Sequence, residues 1–512
     1  MEARPRGRLT AQRHSVLLAA ALSVYLVLAV WTAVAGYIWD NEAWFASPAF
    51  TLIHKGYLGT TILASKGTWL EGIDRHTYWI PPLHPLLQAL WYRLFGFGLL
   101  QMRYLSIVAG AVVLLAWYGI VSLLTDNRGI ALLSIIIPAT DSRFLMFAAL
   151  GRPDATCAAF GALGWLAYLH LRDRSLPRAI LVGNALTAAS CLTHPCGELY
   201  ASGLLLLTLY FDRRRLGWRN FWLLIAPYAA ALSAWGLYIL QAPSQFTRQI
   251  LGNIGGIGAE FTGVNRLAGV SSLRGALRGL KTEYFFRYGV PFGRYSTSVA
   301  DRTQLFALLI YTLGVAGCLL TPSLRNHRGY RALLGVGLLE YLTLGILDGF
   351  KSTGYLTHTL PLAGALLAIY VHFLFSKARG AQLPVLAAAL ILFAAVQFTA
   401  LGRSFTVTPE RWDYENALAF LRRSGSPPGI IAAGEFAFAL GFDSGMVDDW
   451  RLGYFSGWRP PFIAANVIYS GWLEHSATLD PAIHAYMLRL LRDEYRVAFR
   501  NSNYTIYQRI GE

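Results

Sequence analysis

The stretch "SVLLAAALSVYLVLAVWTAVAGYIWDNE", Ser15 to Glu42, decides the fold class. Its first part, Ser15 to Ile38, runs about 24 residues without a charge, and a bilayer core needs about 20. It is too long, and lacks the small-residue cleavage pattern, for a removed signal peptide. Two carboxylates, Asp40 and Glu42, stand directly at its exit. The question is whether they are ordinary solvated acids at a helix end or part of a site.

The whole chain repeats the first signal. Of its 512 residues 55% are hydrophobic and only 14% charged, with a mean hydropathy of +0.42, which excludes an ordinary soluble domain. The net charge of +16 does not point to nucleic acid, because the basic residues fall in short clusters between apolar runs. "MEARPRGRLTAQRH", "HLRDRSLPR", "FDRRRLGWR", "TPSLRNHRGYR" and "FSKARGA" read as cytoplasmic topology signals. Cys157, Cys191, Cys196 and Cys318 lie in or beside apolar segments without metal-ligand spacing, and read as small apolar fillers.

Eleven apolar runs are candidate spans: Ser15 to Ile38, Tyr104 to Leu124, Ile130 to Phe147, Asp154 to Leu171, Ala179 to Leu192, Gly197 to Phe211, Phe221 to Leu240, Leu305 to Leu320, Ala332 to Leu347, Tyr355 to Phe375 and Leu383 to Leu401. A twelfth apolar segment, Pro81 to Gly98, reads as a membrane-surface or re-entrant helix. The fold class is therefore a polytopic α-helical membrane protein of about 11–13 transmembrane helices. A cytoplasmic N-terminus then leaves two outer loops, about 39–80 and 241–302, the second basic near "KTEYFFRYGVPFGRYS". The expected domains are a membrane domain over 1–401 and an extracytoplasmic tail over 402–512. The tail alternates in "GIIAAGEFAFALGF" and "YRVAFRNSNYTIYQRI" around the helical "DPAIHAYMLRLLRDEY", the pattern of a small soluble α/β domain.

Ionisable groups beside apolar spans are costly and usually pair or function. "DSRFLMFAALGRPDATCAAF" sets Asp141, Arg143, Arg152 and Asp154 around one outer turn; Pro153 lets a helix begin with Asp154 in its first turn, and an Arg152 to Asp154 or Arg143 to Asp141 ion pair that pins two helices is the structural alternative. "GIDRHTYWIPPLHP" offers Arg75, His76 and His84 at headgroup depth, a set able to hold a phosphate. "LDGFKSTGYLTHTLPLAGALLAIY" clusters Asp348, Lys351, Tyr355 and His358 at the outer end of a helix, with snorkelling anchors as the plain reading and a lysine awaiting an anion as the functional one.

An acidic pair after the first span, an aromatic-Pro-Pro-Leu segment ending in "LFG", an Arg-Pro-Asp turn and a "K...Y.....P" segment before a late helix resemble the glycosyltransferase C superfamily, in the branch of the protein O-mannosyltransferases and lipid A aminoarabinose transferases. The order matches from Tyr37 to about Ala400. The resemblance implies an inverting glycosyltransferase moving a sugar from a polyprenyl-phosphate donor to an acceptor hydroxyl on a glycolipid such as lipopolysaccharide, a polysaccharide or a protein, at the outer face of a bacterial inner membrane. It implies Asp40 as base with Glu42 beside it, Asp154 positioning acceptor or base, and Arg75, His84, Arg152 and Lys351 on the donor phosphate, assisted by Tyr355 and His358. No nucleotide is expected; a divalent cation shared by carboxylates remains open. The chain departs from the family at Asn41, which separates acids that are usually adjacent, and at Trp79 and Ile80, where a lysine commonly precedes the Pro pair. The competing readings are a transporter or lipid flippase, which would place its charges near mid-membrane, and a scaffold whose aromatic-rich Gly434 to Trp458 stretch binds a partner.

Overall fold

The computed structural model describes residues 5–262, 267, 269–270, 272–283, 287, 299–404, 408–425 and 429–511. Most of the basic stretch 281–296 lies outside the described residues. In chain order the helices are α1 (Pro5–Ala35), α2 (Asp40–Lys55), α3 (Leu83–Phe95), α4 (Leu99–Thr125), α5 (Arg128–Ala139), α6 (Ser142–Ala148), α7 (Pro153–Leu171), α8 (Leu176–Thr193), α9 (Gly197–Asp212), α10 (Trp218–Ile239), α11 (Pro243–Thr262), α12 (Leu273–Thr282), α13 (Val299–Leu320), α14 (Pro322–Arg325), α15 (Arg328–Leu347), α16 (Leu356–Lys377) and α17 (Gln382–Ser404). The tail adds α18 (Pro409–Arg423), β1 (Ile431–Ala432), α19 (Ala437–Leu440), β2 (Phe462–Asn466), α20 (Val467–Leu479), α21 (Pro481–Asp493), β3 (Tyr495–Arg500) and β4 (Tyr504–Arg509).

All eleven apolar runs are helical. Among the described residues six helices are long and apolar enough to cross a membrane, and a seventh span results if the pair α5 and α6, bent by 71°, counts as one. The bend has a local cause: Pro138 ends α5, and Asp141 starts α6 by accepting the Arg143 and Phe144 N–H groups at 2.9 and 3.0 Å. Helix α3 has 13 residues; at about 1.5 Å per residue it spans about 20 Å, short of a bilayer core.

The chain divides into two compact units. The first comprises residues 1–34, 103–235 and 268–405. In it α7 packs against α8 and α9 at small residues: a methyl on Gly161 would enter the Tyr200 ring at 2.0 Å, and one on Gly164 would stand 2.9 Å from the Gly183 carbonyl oxygen. Small residues are what allow helix backbones to approach this closely. At the far end of the same helices Arg172 and Tyr168 bond the buried Asp212 at 2.7 and 2.6 Å.

The second unit comprises residues 35–102, 236–267 and 406–512. Its sheet has the order β1-β2-β4-β3, with β1 parallel to β2 and the other pairs antiparallel. The strand β2 is buried along its whole length, as a central strand covered on both faces should be. Val447 bridges to Ile431, and Asp448 bridges to Leu63, so a piece of the first outer loop continues the ladder begun by the tail. That loop is also less loop-like than expected, because its first part is the helix α2. Asp40 and Glu42 occupy the first turn of α2, where a helix N-terminus favours negative charge.

Candidate functional site

In the second unit three carboxylates from distant parts of the chain converge. Asp40 opens α2 and is 6% exposed; Glu435 and Asp448 come from the tail and are 0% and 4% exposed. Gly434 brings the tail against α2: a methyl there would stand 2.6 Å from the Asp40 carbonyl oxygen and 3.1 Å from Asp448 Oδ2. Asp448 and Glu435 each accept hydrogen bonds from neutral donors. Trp44 Nε1 and the Tyr469 hydroxyl each donate to Asp448 at 2.8 Å, while Asn466 Nδ2 and the Tyr504 hydroxyl donate to Glu435 Oε1 at 3.0 and 2.8 Å.

Neutral donors do not cancel a buried charge. Burial, and then the neighbouring Asp40 charge, push the Glu435 carboxyl up to about 7. The same two causes lift Asp448 well above the usual carboxylate range, against the hydrogen bonds from Tyr469 and Trp44. Buried carboxyls raised toward neutral pH beside a further acid are what acid–base chemistry near neutral pH draws on.

Glu42 is fully buried, and its Oε2 accepts the Trp39 N–H at 3.1 Å, closing the first turn of α2. His84 is buried in the first turn of α3. Arg75 is exposed, its guanidinium carbon 5.5 Å from the Tyr57 ring centre. His76 bonds Gln245 at 3.2 Å and stacks on Tyr78.

The first unit assembles the other candidates. Arg152 is the N-cap of α7 and Pro153 its first residue, so Asp154 lies in the opening turn. Arg152 Nε donates to Asp154 Oδ2 at 2.8 Å, the ion pair allowed for in the sequence. Asp154 Oδ1 stands 4.0 Å from His358 Nε2, and both atoms are buried without a hydrogen-bond partner among the described residues. His358 Nδ1 lies 3.2 Å from the Tyr200 hydroxyl, and the Tyr355 ring packs edge-on to His194 and His358. Gly354 lies against the Arg152 guanidinium. Arg152, Asp154, Tyr355 and His358 are thus one constellation, to which the structure adds His194 and Tyr200.

Lys351 turns away from the role of an open cation. With a left-handed φ of 55°, it directs Nζ back onto the Leu344 and Gly345 carbonyls at 3.0 and 2.8 Å, and stands 3.2 Å from Glu283. Burial lowers its pKa. Beside it Arg287 pairs with Glu283 and with Asp348, the latter at 2.8 Å.

Among the described residues His194, Cys196 and His358 form a possible metal-ligand group, with ligand atoms within 4.8 Å of one another. His194 Nδ1, however, accepts the Cys196 N–H at 3.1 Å, which fixes that nitrogen as an acceptor and leaves the proton on Nε2 of a neutral ring.

Comparison with known proteins follows this geometry. Residues 80–238, about a third of the chain, match the family described as dolichyl-phosphate-mannose-protein mannosyltransferase. No curated protein matches. The structure of ArnT from Cupriavidus metallidurans bound to undecaprenyl phosphate is similar over 97% of this chain and 98% of that one, at 13% identity and a TM-score of 0.59. The archaeal oligosaccharyltransferase AglB from Archaeoglobus fulgidus, in complex with an inhibitory peptide and a dolichol-phosphate, is similar over 95% of this chain and 69% of that one, at 12% identity and a TM-score of 0.55. The chain shares the fold of these two structures. It is an integral membrane protein with a helical unit that has spanning helices and a second unit that carries a small sheet.

Proposed function

We propose that this protein is an inverting glycosyltransferase that uses a polyprenyl-phosphate sugar and works on the outer face of a bacterial inner membrane, with the N-terminus in the cytoplasm. The observation that carries the proposal is the buried Asp40 at the start of α2, beside two further carboxyls that burial drives toward the protonated form. In a single displacement the acceptor oxygen attacks the anomeric carbon. The carbon–oxygen bond to the phosphate breaks as the new glycosidic bond forms, the polyprenyl phosphate leaves with the electron pair, and the hydroxyl proton passes to Asp40. A polyprenyl phosphate is already a good leaving group, so a positioned base and donors for the departing oxygens suffice.

Glu42 fixes the turn that presents Asp40. Asp154, held by Arg152, positions the acceptor or the base. The resemblance assigns the donor phosphate to Arg75, His84 and Arg152, with Tyr355 and His358 assisting. Lys351 would join them only by leaving the carbonyls it now caps. The lipid phosphates bound by ArnT and AglB support the donor class.

The test is transfer from a panel of radiolabelled polyprenyl-phosphate sugars in membranes carrying wild type or Asp40→Asn. Transfer by the wild type, reduced about 10²–10⁴-fold in the mutant with donor binding retained, supports the assignment. An Asp40→Asn protein of undiminished activity removes Asp40 as base.

A further inference from the structure

The end of α7 away from Asp154 borders an open cleft of the first unit, walled by α1, α4 and α7 together with the first residue of α5. Its cavity is about 400 Å³, within the range of small-molecule sites. Its wall residue His170 comes 16 residues after Asp154, about 24 Å along a helix that rises about 1.5 Å per residue. The cleft is therefore separate from the Asp154 constellation.

The sequence sets its depth. His14 stands just before the uncharged run Ser15 to Ile38, Ser122 lies in the last turn of α4, and Arg128 opens α5. The helices α1 and α4 are both long and apolar enough to span, so the cleft sits where they leave the bilayer core, at the level of lipid headgroups. Two of its wall residues carry buried polar atoms, His14 Nδ1 and Ser122 Oγ, that make no hydrogen bond among the described residues. Buried polar atoms are normally paired. Arg128 and His170, both exposed, also line the cleft. Among the described residues no acid does. The nearest acids in sequence, Asp126 and Asp173, are exposed, and Asp173 pairs with Arg172 at 3.2 Å. The remaining wall is apolar, with Leu18, Leu123 and Leu166. Leu123 is exposed, and exposed apolar side chains continue along the same two helices at Val16, Leu17 and Val24 of α1 and at Leu115 and Val108 of α4.

We propose that this cleft binds the phosphodiester headgroup of an anionic membrane phospholipid. Arg128 supplies the positive charge, and Ser122 Oγ and His14 Nδ1, in the tautomer protonated there, donate to the phosphate oxygens. Basic pockets between spanning helices suit such headgroups. The acyl chains run along the exposed apolar surface of α1 and α4, which a free phosphate would leave unused. A zwitterionic lipid finds no acid for its cationic group. Only 22% of the α1 span is buried within the protein, so a lipid seated here would tie α1 to α4 and α7. The inference does not rest on the transfer reading.

The experiment is native mass spectrometry of the full-length protein, titrated in detergent with phosphatidylglycerol, phosphatidylcholine or inorganic phosphate. The expected result is a first phosphatidylglycerol bound about tenfold more tightly than phosphatidylcholine. That advantage is lost in Arg128→Gln and kept in Arg128→Lys. It is also kept in Arg219→Gln, which removes an exposed charge outside the cleft. Ser122→Leu fills the cleft without altering charge and should lose the advantage as well, which supplies the readout if Arg128→Gln does not fold. Equal binding of the two lipids overturns the inference, as does an advantage that survives both Arg128→Gln and Ser122→Leu or that falls equally in Arg219→Gln. Displacement of the lipid by millimolar inorganic phosphate assigns the cleft to a free anion and overturns the lipid assignment. None of these outcomes touches the transfer reading, which the radiolabel assay decides.

Discussion

The Trp44 indole donates to Asp448 Oδ2 at 2.8 Å, a hydrogen bond between residues 404 positions apart. Trp44 lies one helical turn after Asp40, so the tail reaches the proposed base through the helix that carries it. Trp44→Phe keeps the ring and removes the donor. The variant is expected to lose about 1–3 kcal/mol, read as a lowered unfolding midpoint in nanodiscs. An unchanged midpoint would show that the bond does not hold α2.

Gly434 leaves no room for a side chain, since a methyl there would press on backbone and indole atoms of α2 at 2.6 and 2.8 Å. Gly434→Ala is expected to cost about 1–3 kcal/mol and to reduce transfer more than donor binding. Chemical denaturation combined with a donor-binding assay checks both parts. Wild-type stability would mean that the tail is free to back away from α2.

Glu435 sets a pH dependence of stability. Its carboxyl is raised to about 7 in the folded protein, first by burial and then by Asp40, whereas the unfolded chain titrates near 4.3. Between those values the folded state holds more protons than the unfolded one, so stability falls as pH rises through the window and levels off above it. Glu435→Gln should flatten that fall, giving an unfolding midpoint that changes less between pH 5 and pH 8. A wild-type midpoint that rises over this range contradicts the raised value.

Lys351 caps α15 and pairs with Glu283. Lys351→Met should therefore lower stability by about 1–3 kcal/mol while changing the donor KM less than Arg152→Met does. Steady-state kinetics on the two variants decides. A larger rise in donor KM at Lys351 would return it to the phosphate.

The spans were legible because membrane insertion demands long apolar runs: ten of the eleven runs fall on a single helix each, and Ile130 to Phe147 on the bent pair α5 and α6. The Arg152 and Asp154 pair was legible because both lie around one proline-initiated helix start, and Tyr355 and His358 because they share one helix entrance. Glu435 and Asp448 were not. In the sequence they look like ordinary acids of a soluble tail, and it is the long-range bond from Trp44 to Asp448 and the close approach of Gly434 to Asp40 that bring them to α2. His194 and Tyr200, on two further segments, became visible only when α8 and α9 packed beside α7. The Lys351 contacts were not legible: it follows α15 with a positive φ, and its Nζ meets the Leu344 and Gly345 carbonyls, which no spacing rule anticipates.

The second unit is assembled from three separated segments, the last being residues 406–512. A ribosome that adds about 5–20 residues per second makes Asp40 roughly 20–80 s before its partner Trp44 can meet Asp448, 404 positions downstream of that indole. During that interval the membrane holds a chain whose first-made carboxylate has no completed surroundings. On the proposed reading, a nascent copy that has not yet reached Asp448 lacks the bond that ties the tail to α2, so the order of synthesis sets when that site is complete.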